Sequence, residues 1–144
     1  MTPEDRRVAI ATWIAALSGA QRTAALDAIA ADGPLDPTMA AWALDSTLAA
    51  FDPDSLARVS SMHPYERECV AVLLAETVPT APLRAIALPL LWGARVLHIR
   101  APRLNPRFTA LMVSSLRAIE PAFDVTLHDS PGPDFTASLP TLRM

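Results

Sequence analysis

The chain has 144 residues, 51% of them hydrophobic and 19% charged, with a formal net charge of −3 at pH 7. That length suits one domain with a buried core, and an acidic balance with scattered arginines and no lysine lacks the basic face that nonspecific nucleic-acid binding needs. The single cysteine, Cys69, excludes an intramolecular disulfide and any CxxC-type metal site.

In chain order, the first third reads as helix. Thr2 is placed to cap, Pro3 fits the first helical position, and Asp5 completes a capping-box spacing. Val8, Ala11, Ile14 and Leu17, with Ile10 and Trp13, then mark an apolar face at helical period. Glu4 and Asp5 stand where a basic, then apolar, leader would begin, so the expectation is a cytoplasmic chain. A second helix over 20–31 stops at Asp32-Gly33-Pro34. Asp36-Pro37 and Asp52-Pro53 repeat the cap-then-proline start for a third and a short fourth helix. Trp42, Leu44, Leu48 and Phe51 are expected in the core rather than against a ligand.

From Cys69 the period changes. "CVAVLLAE" reads as a strand buried on both faces, with Cys69 a core cysteine. "PLRAIALPLLWG" is a helix ended by Gly93, and "ARVLHIR" a second buried strand. The longest uncharged apolar stretch, Ala85 to Ala94, lies between Arg84 and Arg95, far short of the roughly 20 residues of a membrane span. Asn105-Pro106 opens the helix "PRFTALMVSSLRAI", and "FDVTLHD" is a third strand. The alternation predicts an α/β fold: a helical segment (1–66), then a half-Rossmann βαβαβ unit (67–129) with a three-stranded parallel sheet. The proline-rich 130–144 reads as an extended tail.

The order Val78-Pro79, "LRAIALPLLWGARVL", Arg100-Ala101-Pro102 and Pro106 resembles the start of the cofactor domain of aldehyde dehydrogenases, closest to fatty acyl-CoA reductases of the bioluminescence type. "GPLDPTMAAWALDSTLAAFDPDSLARV" is similar to the helical segment that precedes that domain in the acyl-CoA reductases. The resemblance implies NAD(P) or CoA as cofactor, with Thr77, Val78, Pro79 and Arg100 as the contacts. It also implies what has changed. Thr77 stands where the family has an asparagine that holds the carbonyl oxygen, and its short hydroxyl cannot present the same N–H. Arg100 replaces the lysine that contacts the ribose. "DFTAS" (134–138) echoes the family's later glycine-containing turn without its glycine. The family's catalytic cysteine and general-base glutamate have no counterpart, and Cys69, at the start of a strand, cannot serve.

The remaining polar residues are dispersed. His63 lies in the approach to the first strand, and His98 is expected to be packed or hydrogen-bonded within its strand. His128 and Asp129 end a parallel strand, either as plain polar ends or where ligands of open sheets bind. Arg95, Arg100, Arg103 and Arg107 make either a solvated edge or a small basic patch for a phosphate or an acidic partner. The expected function is a noncatalytic aldehyde-dehydrogenase-like binding and assembly module, associating with itself or a larger protein. The alternatives are the N-terminal subunit of a split acyl-CoA reductase or a small nucleotide- or CoA-binding regulator.

Overall fold

The computed structural model describes residues 1–61, 69–74, 78–100 and 106–128. The helices begin where short-range chemistry places their caps. In α1 (Pro3–Ser18) the Thr2 hydroxyl accepts from the Asp5 amide at 3.0 Å while the Asp5 carboxylate accepts from the Thr2 amide at 2.9 Å, a complete capping box. After α2 (Arg22–Asp32), Asp36 caps α3 (Pro37–Ala49) by accepting from the Met39 amide at 2.8 Å. Asp52 accepts from the Ser55 amide and hydroxyl at the start of α4 (Pro53–Ser61).

Three strands follow, β1 (Cys69–Leu73), β2 (Val96–Arg100) and β3 (Asp124–His128), with α5 (Ala81–Leu91) and α6 (Pro106–Ile119) as the crossovers. The α5 terminus is a Schellman motif: the Ala94 amide donates to Pro89 O and the Gly93 amide to Leu90 O. Gly93 sits at φ 111°, a left-handed conformation that a β-carbon would strain. Within α5, Pro89 has no N–H to give the Ala85 carbonyl.

The strands are parallel in the order β1-β2-β3, which bears out the βαβαβ expectation. The expectation of strands buried on both faces is corrected. Burial alternates along β2: Leu97 and Ile99 are sealed, while Val96, His98 and Arg100 are half-buried, and Ala71 and Leu73 of β1 are exposed. The cause is topological. Right-handed crossovers that always step the same way place both helices on one face, and a doubly wound sheet covers the other face only by reversing direction. Cys69 shares the less covered face with Val96 and Asp124 and is half-buried, not a core cysteine.

On the covered face, α5 packs on β1 and β2 and α6 on β3, with α1 laid across both helices. Ile10, Trp13 and Leu17 of α1 meet a core that includes Leu90, Phe108, Met112 and Leu116, all fully buried. The Trp13 indole N–H donates to Ser115 Oγ at 2.8 Å. Two apolar residues are not where the helical pattern puts them: Val8 is 49% exposed, and Trp42, expected in the core, is 73% exposed. Leu44, Leu48 and Phe51 are buried as expected. Arg6 is buried instead, its guanidinium donating to Leu90 O at 2.7 Å and Ala94 O at 2.8 Å and lying 5.8 Å from the Phe123 ring centre. No helix among the described residues is long and apolar enough to cross a membrane.

Candidate binding groove and strand-end cluster

A groove of about 900 Å³ opens between α3, α5 and the end of β1. Trp42, Met39, Leu73 and Val78 line it and are 73%, 53%, 68% and 50% exposed. They are four of the six large hydrophobic side chains exposed among the described residues. The helical geometry of α3 accounts for Trp42. Ala40, Leu44 and Leu48 repeat every four residues and face the core, so Trp42, two residues out of step at about 100° per residue, points the other way.

The polar content of the groove is sparse. The Thr47 and Thr80 hydroxyls share a hydrogen bond of 2.7 Å that ties α3 to the start of α5. Thr47 also donates to Ala43 O, and Arg84 and Ala85 stand in the lining.

Of the residues implied as cofactor contacts, Val78 and Pro79 line this groove, and Thr77 lies outside the described residues. Arg100 does not line it. It ends β2 on the less covered face, between Leu73 of β1 and His128 of β3 in the strand register. Arg95 and Arg100 are not neighbours: Arg95 precedes β2 and Arg100 ends it, about 16 Å away at about 3.3 Å per residue. Arg103, like His63, Asp129 and the 130–144 tail, is outside the described residues.

His98 is hydrogen-bonded within the sheet, as expected. Its Nδ1 lies 2.9 Å from His128 Nε2, the rings tilted by 40° with centres 5.1 Å apart. Such a contact needs a proton on one ring nitrogen and a lone pair on the other. No group of three metal-ligating side chains occurs among the described residues.

Two features escaped sequence reasoning. The first is Asp32, read only as part of a stop signal. Its carboxylate accepts from the Arg107 amide at 3.0 Å and the Phe108 amide at 2.8 Å, 75 and 76 residues away. The N-terminus of the helix after β2 is where an anionic ligand would be received, and here the protein's own carboxylate fills it. Arg100 lies on β2, in register with Leu73, while Val78 and Pro79 line the groove. The second is Arg6, whose spacing of four and seven residues to Ile10 and Trp13 places it on the buried face. Burial, and then the neighbouring charge of Arg95, hold its pKa below the ordinary arginine value.

Searches against family models, curated proteins and solved structures found no match to this chain.

Proposed function

We propose that this chain is a noncatalytic binding and assembly module that engages protein through the groove and the adjoining edge of β1. One observation carries the reading: Met39, Trp42, Leu73 and Val78 come from three separate segments yet expose themselves around one depression. Isolated apolar side chains on a surface need no explanation, whereas a contiguous apolar patch marks an interaction site. Several hundred Å² left in water forgoes on the order of 10 kcal/mol at about 25 cal/mol per Å², comparable to a domain's whole stability. The paucity of polar groups in the groove favours a protein surface over a nucleotide, and the Asp32 carboxylate at the α6 terminus argues the same way.

On this reading the aldehyde-dehydrogenase-like pattern is ancestry, and the βαβαβ unit serves as scaffold. The edge position of β1 also supports the split-enzyme alternative. In the doubly wound strand order 3-2-1-4-5-6, the second half joins at the first strand.

Tryptophan emission tests the proposal. Trp13 is fully buried and Trp42 is 73% exposed in the single chain. Diluting the associated protein should shift emission to the red as Trp42 meets water, and Trp42→Phe should remove most of that shift. Emission that is independent of concentration from nanomolar to tens of micromolar, and unaltered by candidate partner proteins, contradicts the proposal.

A further inference from the structure

The occupant of the β1 edge follows from the strand itself. β1 and β3 are the two edge strands of the described sheet, and they differ in chemistry. β1 is Cys-Val-Ala-Val-Leu, apolar throughout, whereas β3 carries Asp124 and His128 at its ends. The exposed apolar side chains also gather at β1, through Leu73 in the strand and through Trp42, Met39 and Val78 beside it. With about 150–250 Å² for an aromatic and somewhat less for the others, these four offer on the order of 450 Å² of surface per copy. That exceeds half of the ~800 Å² per partner of a stable interface, before any backbone pairing is added.

We propose that a second copy of this chain docks there, β1 pairing antiparallel with its counterpart about a two-fold axis through Ala71 and normal to the sheet. The proposal rests on the assembly reading and deepens it. Closed symmetry selects this geometry. An exact two-fold along the strands would set identical residues at the same height, while a parallel ladder needs its strands offset by one residue. A two-fold normal to the sheet meets the antiparallel requirement directly and makes the interface isologous.

The register follows from parity and overlap. Residues opposite each other in a ladder lie on the same face, so the axis must pass through a residue rather than between two. Among those registers, only an axis at Ala71 overlaps all five residues of β1. It sets Val70 against Val72 of the second copy on the covered face, and Leu73 against Cys69 on the other. The palindromic Val-Ala-Val makes the valine pairs equal in size, and the exposed Ala71 is the smallest residue available to meet itself on the axis. β1 itself carries no charge, so the strand brings none against its like, as a two-fold would do to a charged residue beside it. Each groove, at the Leu73 end of its own β1, then faces the Cys69 end of the other copy's strand, and Trp42 of each copy meets the other copy there. The product is a six-stranded sheet in the order 3-2-1-1-2-3.

An engineered thiol reads this register. Leu73→Cys is at a position 68% exposed, where truncation leaves no core cavity, and Cys69 is retained as the acceptor. Directly opposed residues of an antiparallel pair lie ~4.5–5.5 Å apart between Cα atoms, inside the range that a disulfide spans. Within one strand the two thiols are about 13 Å apart at ~3.3 Å per residue and cannot join. Mild oxidation of Leu73→Cys at micromolar concentration should convert most of the protein to a covalent dimer, and adding Cys69→Ala should abolish the product. A dimer by sedimentation that does not cross-link, or that still cross-links with Cys69→Ala, overturns the register and leaves the assembly reading standing. A folded monomer that neither sediments as a dimer nor cross-links overturns self-association altogether, and binding of a different protein at the groove would then carry the assembly reading alone.

Discussion

Replacing Arg6 by methionine is expected to destabilise the fold by about 2–3 kcal/mol. Arg6 is 9% exposed, and one guanidinium nitrogen donates to two carbonyls, Leu90 O and Ala94 O, at the closed end of α5. Hydrogen bonds to a charged group contribute roughly 1.5–3 kcal/mol each. Two effects reduce the total. Leu90 O keeps the Gly93 amide as a donor at 3.3 Å, and removing a cation whose burial is unfavourable, as its lowered pKa records, returns part of the loss. Methionine keeps much of the apolar stem, so the change isolates the polar head. Urea unfolding followed by circular dichroism should move its midpoint down by on the order of 1 M, at slopes of about 1–3 kcal/mol per M. Because Arg6 ties α1 to the helix that walls the groove, helical and sheet signals should fall together. An unchanged midpoint would show that the two carbonyls do not depend on Arg6, and a separate early loss of α1 would show that the helical segment folds apart from the sheet.

Asp32→Ala removes both side-chain acceptors from the start of α6 and should cost about 1–2 kcal/mol, the usual worth of an N-cap, in the same urea assay. Asp5 and Asp52 each have a pKa held below the ordinary aspartate value of 3.8, chiefly by the backbone amides at Thr2 and Ser55. Their stabilisation is therefore complete above 3.8 and lost as pH falls through the lower folded-state values. Helical ellipticity should decline over that acid window, and Asp52→Asn, which still caps but does not titrate, should lessen the decline. Thermal shift with NAD(P) or CoA should show no stabilisation of the parent chain, and a shift that disappears in Arg100→Ala would reinstate the nucleotide-binding alternative. The purified chain should turn over neither aldehyde nor acyl thioester, and activity that persists in Cys69→Ala after repurification would contradict the noncatalytic reading.

Element boundaries were legible because local chemistry sets them. Thr2, Asp36 and Asp52 each cap within three residues, and Gly93 stops α5 through its own backbone conformation. The bounds of α6 follow from Pro106 at one end and the approach to Pro121 at the other. The parallel sheet followed from the alternation of helix and strand. What was not legible depends on direction or distance. Valine and leucine in β1 look alike whether one face is covered or two, and only the sense of the crossovers decides that. Val8 and Trp42 were misplaced by counting apolar residues without their angle around the helix. For Asp32 no local signal exists, since its partners lie 75 and 76 residues away. The groove escaped notice for the same reason: α3, β1 and α5 are brought together only by the fold.

The central claim, that this chain exists to associate, is tested most directly by its mass in solution. Light scattering coupled to size exclusion, run from about one to one hundred micromolar, should give about twice the 15.4 kDa chain mass or more. Trp42→Glu, which sets a charge on the patch of each copy, should return the protein to a folded single chain. A parent protein that stays a well-folded 15.4 kDa monomer across that range, alone and mixed with candidate partner proteins, would contradict the claim.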